Sequence, residues 1–319
     1  MYRASIDLGN IRSGLLRSQM VLSACDFNQF KAKERGIPIL IPADPDLFHY
    51  SEGDIFEIDT NLLLKTVFDT DFPSYIGYQL SYRTNRFLAD FRIRENVRAE
   101  VDFVVRQNRE VLNFVGELKS KHSTVGAFQT RNIPHFGHEK IIEMMLDHCD
   151  HLVINPIVGA KKKGDVKLEN LETIFKDLLV NRFNGRASFK PIYANMFYAG
   201  PREAAHHAIL RRDIGFTHFS VGRDHAGAEK IYSDLAAPTL LSKIQNKIGI
   251  KILTHNGAYF CLKCNKVVLR NTCNHSLDYL KDISGSEFRA CIEQRKFFKL
   301  ADKDVQRFLF RHSSSLFEK

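Results

Sequence analysis

Gln129-Thr130-Arg131-Asn132, followed by His135 and His138, puts four polar side chains and two imidazoles within ten residues. An apolar stretch, Thr124 to Phe128, precedes them. An amphipathic run with Ile141, Ile142, Met144, Met145 and Leu146 follows. That order reads as strand, polar turn, helix. A turn at the carboxyl end of a strand, feeding a helix N-terminus, is where α/β proteins hold phosphate, because free amides and the helix dipole both favour an anion. Imidazoles three residues apart at that terminus share one face and point at the same group. Arg131 and Asn132 add donors, and a guanidinium fork matches an oxyanion in two places at once. The chemistry such a set can do is the binding and charge stabilisation of an oxyanion.

Three more loops carry similar residues. Asn155 to Val166 holds Lys161-Lys162-Lys163 between Gly159 and Gly164, a cationic flap. Gly200-Pro201 sets up a helix start with Pro201 at its first position and Glu203 in its first turn. His206 and His207, on the same run, read as packing or surface residues. Gly222-Arg223-Asp224-His225-Ala226-Gly227 directly follows an apolar strand. Its two glycines let backbone approach an anion, Arg223 and His225 supply donors, and Asp224 can orient one of them.

The elements that must position these loops alternate. Strand 124–128 leads to helix 137–149, strand 151–157 to helix 168–183, strand 190–196 to helix 202–213, and strand 217–222 follows. Alternation at this spacing implies right-handed βαβ units and a parallel sheet whose loops gather on one edge. Residues 1 to about 115 differ: short apolar runs such as Ile39-Leu-Ile-Pro and Ile55-Phe-Glu-Ile, broken by Asp-Pro and Ser-Glu-Gly-Asp turns, read as a β-rich unit with some helix. Residues 94–120 read as a helical link, and a helix capped by Ser284 or Ser286 begins the tail. The expected division is therefore a β-rich domain with its linker over 1–120, an α/β nucleotide-handling domain over 121–250, and a small C-terminal region over 251–319.

That last region holds Cys261-x-x-Cys264 followed by Cys273 and His275. Three thiolates and one imidazole form a closed tetrahedral set suited to structural zinc. Cys25, Cys149 and Cys291 stand alone and read as core or surface thiols. The 319 residues are 44% hydrophobic and 26% charged, with a formal net charge of +9. No apolar run approaches the roughly 20 residues of a membrane span, and the N-terminus has no signal-peptide core, so a cytoplasmic protein without membrane contact is expected. The positive charge is dispersed, which favours small polyanions and argues against nucleic acid as a partner.

In combination, Gln-Thr-Arg-Asn…His…His, the lysine–glycine–aspartate loop, Tyr-Ala-Gly-Pro…Glu-Ala, Gly-Arg-Asp-His-Ala-Gly and Ile-Ser-Gly-Ser…Arg resemble the catalytic domain of ATP sulfurylase (sulfate adenylyltransferase), in the family's order, from about Val125 to Arg289. The resemblance implies a Rossmann-like nucleotidyltransferase fold behind a PUA-like N-terminal domain. It implies that ATP and sulfate react to adenylyl sulfate and pyrophosphate in sulfate assimilation, or the reverse. By the resemblance, Gln129 and Arg131 would hold sulfate with the backbone at Ala226. Thr130, Asn132, His135 and His138 would act on the nucleotide phosphates, and Gly222, Arg223, Asp224 and His225 would complete the ATP site. Mg²⁺ would ride on the nucleotide, zinc would occupy a knuckle like that of some bacterial members, and a homodimer is implied. Phe197 stands where many members have arginine, and the N-terminal region is short, with only Leu22-Ser-Ala-Cys-Asp26 recognisable. These departures leave open a relative that adenylylates another oxyanion or acid. A third reading is a non-enzymatic zinc-ribbon binder of nucleic acid. No P-loop is present, so a fused adenylyl sulfate kinase is not expected.

Overall fold

A computed structural model of the chain describes residues 1–15, 43–57, 59–81, 86–88, 90–159, 166–312 and 316. Five strands form one parallel sheet: β1 Val125–Phe128, β2 His151–Ile154, β3 Ala187–Phe189, β4 His218–Val221 and β5 Lys251–Thr254, in the spatial order β5-β4-β1-β2-β3. Every residue of β1, β2 and β4 is buried. That is the continuous apolar pattern of strands covered on both faces. Helices α1 Phe136–Leu146 and α2 Leu168–Phe183 cover one face. The other is covered by α3 Gly200–Ile214, α4 Ala236–Ile248 and the 27-residue helix Glu95–Lys121, which buries Val97, Val101, Val104, Val111 and Val115.

The expected alternation is present, with local shifts. The helix over 168–183 has the expected bounds. The strand expected over 151–157 stops at Ile154 and resumes as Ile157–Val158, because Pro156 has no N–H to give a ladder. The strand expected over 190–196 is instead Ala187–Phe189 plus Ile192–Tyr193, separated by Lys190-Pro191. The sheet also runs past the boundary expected at 250. Gly249, with φ +79°, caps α4, and a single residue leads into β5 beside β4.

The N-terminal region is corrected more strongly. Among the described residues up to 121, helix outweighs strand. Helices Arg3–Arg12, Thr60–Leu63 and Ile76–Ser81 stand with the long helix against four strands of two or three residues, paired as two antiparallel ribbons. The apolar runs there are too short and too often interrupted for longer strands. Leu63, Leu64, Val67 and Phe68 are buried at helical spacing, after a start at which Asp59 accepts from the amides of Asn61 and Leu62. Ile39-Leu-Ile-Pro, Leu22–Asp26 and the lysines 161–163 lie outside the described residues.

Beyond β5, a three-stranded antiparallel sheet (Lys266–Leu269, Ala258–Cys261, Leu280–Asp282) carries the cysteine cluster. The tail folds back: Phe288, Ile292, Phe298, Val305 and Leu309 join the core under α1 and α2. Ser284 is the cap of helix Gly285–Glu293, accepting from the amide of Glu287 at 3.1 Å. Among the described residues no helix is long and apolar enough to cross a membrane.

Candidate active site

Strands β1 and β4 are neighbours although 90 residues separate them, and the strand order reverses between them. Open parallel sheets bind ligands outside the carboxyl ends of strands at such a switch point. Here a cleft of about 370 Å³ opens, floored by the loops that follow both strands. Gln129, Thr130, Arg131, Asn132 and His138 line it from one side, and Gly222, Arg223, Asp224, His225 and Ala226 from the other. A larger hollow of about 530 Å³ between α2 and helix Lys303–His312 shares no lining residue with these loops, and Arg182 and Asp302 in its wall pair at 2.8 Å.

The first loop is shaped by its own side chains. Thr130 Oγ1 accepts from the amide of Asn132 at 3.3 Å, a local turn. Arg131 Nη1 donates to Tyr198 Oη at 3.1 Å, with the guanidinium 5.6 Å from the Tyr198 ring centre. His135 caps α1: its Nδ1 accepts from the amide of Gly137 at 3.1 Å, and His138 Nδ1 accepts from the amide of His135 at 3.3 Å. With both Nδ1 atoms accepting, the ring proton of each neutral imidazole is assigned to Nε2, where it can be donated outward. Burial pushes His135 down to about 4 and His138 well below its ordinary value, so both are neutral donors at pH 7. Gly137 must be glycine because a Cβ there would lie 2.8 Å from the His135 ring. His135 itself is not among the residues lining the cleft; its ring stands 4.0 Å, centre to centre, behind that of His138.

The second loop turns through Asp224 and Ala226, both in the left-handed region at φ +50° and +57°. The Ala226 carbonyl accepts from the amide of Gly200, which ties the 196–200 loop to the 222–227 loop. The Arg223 guanidinium is directed outward. It donates to Tyr259 Oη at 2.8 Å and to Asp282 Oδ1 at 2.9 Å, so the donor expected for a ligand here is engaged by the C-terminal sheet. Gly222 is required by a residue not anticipated from sequence. A Cβ there would lie 2.5 Å from Cε1 of His255, whose ring also lines the cleft. Burial and the nearby Arg223 push His255 down to about 4.

Behind the cleft lies a buried polar row. His225 Nε2 is 3.1 Å from His207 Nδ1, and His207 Nε2 is 3.2 Å from Glu203 Oε1, though not aligned as a hydrogen bond. Glu203 accepts from the amides of Phe197 (2.7 Å) and Ala199 (3.0 Å). Burial raises Glu203 and holds His207 and His225 well below their ordinary values. His206 and His207 are buried, as packing residues should be, but His207 also reaches the site through His225. Phe197 is buried between Arg3, whose guanidinium is 5.5 Å from its ring, and His206, and it does not line the cleft. Phe197 therefore faces the N-terminal helix.

Sequence reasoning missed Tyr198, Ser220 and His255, all of which line the cleft. His255 ends β5 as the other loops end their strands, and placing the sheet's limit at 250 hid it. Among the described residues, Gln129 Oε1, Ser220 Oγ and His255 Nδ1 are buried with no hydrogen-bond partner. On the far side of Arg131 and Asn132, Gly285, Phe288 and Arg289 of the Ile-Ser-Gly-Ser…Arg segment share a small hollow of about 20 Å³ with that turn.

The cysteine cluster closes as expected. The ligand atoms of Cys261, Cys264, Cys273 and His275 all lie within 4.8 Å of one another. Two sulfur–sulfur distances are 3.7 and 3.9 Å, and His275 Nδ1 is 3.3, 3.4 and 3.6 Å from the three sulfurs. A tetrahedron around zinc, with bonds of about 2.3 Å to sulfur and 2.0–2.1 Å to nitrogen, has edges of about 3.8 and 3.5 Å. The set is compatible with structural zinc, with His275 as its fourth member.

Comparison with known proteins gives the same family. Residues 109–298 match the ATP-sulfurylase family model. A sulfate adenylyltransferase of Aeropyrum pernix is 35% identical over 80% of this chain and 64% of its own length. Another, of Carboxydothermus hydrogenoformans, is 29% identical over 92% of this chain and 79% of its own. A third, of Hyperthermus butylicus, is 41% identical over 52% of this chain and 43% of its own. The chain spans just under two thirds of the Aeropyrum pernix relative and of one from Thermococcus onnurineus. The matched region holds both strand-end loops, the cleft and the cysteine cluster, and the chain belongs to the ATP-sulfurylase family.

Proposed function

We propose that the chain is a sulfate adenylyltransferase, converting ATP and sulfate to adenylyl sulfate and pyrophosphate or running that reaction backwards. The observation that carries this reading is the meeting of the Gln129–Asn132 and Gly222–Ala226 loops in one cleft at the sheet's switch point. Sulfate is already an anion at neutral pH, so its oxygen needs no base to attack the α-phosphorus. Positioning and charge stabilisation carry the rate. Gln129 and Arg131 hold the sulfate with backbone at Ala226. Thr130 and Asn132 hold the nucleotide phosphates. His138 donates Nε2–H to the phosphate oxygens as charge builds there, and His135 fixes the ring of His138 while capping α1. Gly222, Asp224 and His225 form the nucleotide side, and Arg223 acts there by holding the loop to the C-terminal sheet. Mg²⁺ riding on the triphosphate would supply charge neutralisation there. Zinc at Cys261, Cys264, Cys273 and His275 fastens the three-stranded sheet that anchors Arg223. A cytoplasmic homodimer completes the reading.

The test is ATP–pyrophosphate exchange by purified protein with Mg²⁺, with and without sulfate, and molybdate-driven ATP cleavage as a second oxyanion assay. Sulfate-dependent exchange is expected. Folded protein that binds ATP yet shows no sulfate-dependent exchange would move the acceptor to another oxyanion or acid.

A further inference from the structure

We propose that Tyr198 is a positioning residue that aims the Arg131 guanidinium into the cleft, and that Tyr75 of the N-terminal region holds Tyr198 where it can do so. The proposal rests on the assignment of Arg131 to the sulfate site. Tyr198 is a non-glycine residue at φ +59°, in the left-handed region where a bulky side chain costs free energy and persists only when its surroundings impose it. The surroundings here are specific. Glu203 accepts the amides on either side, at Phe197 and Ala199. The Tyr75 hydroxyl donates to the Tyr198 carbonyl. The Gly200 amide donates to the Ala226 carbonyl.

The result of this backbone geometry is a buried phenol at the cleft wall, 4% exposed, whose oxygen accepts from Arg131 Nη1 and whose ring lies beside the guanidinium. A long arginine side chain loses rotamer freedom when it binds an anion. Fixing it beforehand removes that cost. The ring of Tyr198 also packs in the same core as Leu63, Phe68 and Tyr75. The N-terminal region thereby reaches the oxyanion through three residues, Tyr75, Tyr198 and Arg131, while none of its described residues lines the cleft.

The experiment compares the full-length wild type with Tyr198→Phe, Tyr75→Phe, Arg131→Lys and the Tyr198→Phe/Arg131→Lys double variant. Sulfate affinity is read twice: as KM in exchange, and by calorimetry with a non-hydrolysable ATP analogue present, which needs no turnover. Tyr198→Phe should weaken sulfate about tenfold, the effect of losing one hydrogen bond to a charged group. Its ATP KM should stay within about twofold of wild type, with an unchanged thermal midpoint. Tyr75→Phe should shift sulfate in the same direction by a smaller factor. In the Arg131→Lys background, Tyr198→Phe should add less than about twofold, because the contact is already gone. Unchanged sulfate affinity in Tyr198→Phe overturns the proposal. So does a full tenfold loss in the Arg131→Lys background, which would mean that the phenol touches the anion itself. A wild type that neither exchanges nor binds sulfate fails the functional reading instead, before any variant is compared.

Discussion

Glu203 is where a single substitution should do most damage. Its side chain is fully buried, and its two carboxylate oxygens take the amides of Phe197 at 2.7 Å and Ala199 at 3.0 Å. Both amides lie in the loop that enters α3 and carries Tyr198. In Glu203→Ala neither has a partner or a path to water. Each orphaned donor costs about 1–3 kcal/mol, and the emptied space adds to that, so the loss is about 3–6 kcal/mol. Against a total stability of about 5–15 kcal/mol this is a large share. Removing a buried carboxyl returns some desolvation energy, as its upward-shifted pKa shows, but that return does not satisfy the two amides. Glu203→Gln keeps one acceptor oxygen and sets an NH₂ group against the second amide, for about 1–3 kcal/mol. The assay is thermal unfolding by circular dichroism with urea titration beside it. The alanine variant should melt roughly 10 °C low, and the glutamine variant should fall between it and wild type. An alanine midpoint within about 2 °C of wild type would refute the reasoning, because it would mean that the loop is held by something other than Glu203.

His138→Ala should lower kcat by roughly a hundredfold while ATP affinity changes far less, since its Nε2 donor meets charge that builds only in the transition state; weakened ATP binding at constant kcat would contradict that role. Gly222→Ala should cost about 1–3 kcal/mol by driving a methyl into the His255 ring, 2.5 Å away, and a melt indistinguishable from wild type would show that the loop yields freely. Stability should fall as pH drops from 6.5 toward 4. His135, His151 and His255 are held down to about 4 and His206 to about 3, so the unfolded chain takes up protons in this window that the folded chain refuses. Each such group costs at most about 1.4 kcal/mol per pH unit, and the acids shifted the other way, Asp7 at about 6, Glu139 at about 7, Glu203 and Asp224, offset only part of it, because His138, His207, His218 and His225 are held down as well; a midpoint that is flat or rising on acidification to pH 4.5 would contradict this. Cys261→Ser should lose bound zinc and several degrees of thermal stability together, and wild-type protein that carries no zinc by elemental analysis would end the metal assignment.

Much of this protein is written in short-range pattern. Apolar runs ending in polar turns marked three of the five sheet strands, helix 168–183 was readable from its 3.6-residue period, and Cys-x-x-Cys with Cys273 and His275 announced a tetrahedral cluster. Those signals are local, because periodicity and ligand spacing depend on neighbours a few residues apart. Only the tertiary structure decided that β1 lies beside β4, that Arg223 is engaged by Asp282, 59 residues away, and that Arg131 rests on Tyr198, 67 residues away. Only there does Phe197 turn toward the N-terminal helix and His255 toward the cleft. The described part of the N-terminal region, more helical than expected, makes the same point: its apolar residues suit either period, and packing against the long helix and the 196–200 loop settled the choice. A side chain's partner is set by sheet order and by which way each loop leaves its strand, and neither is encoded in the few residues on either side of it.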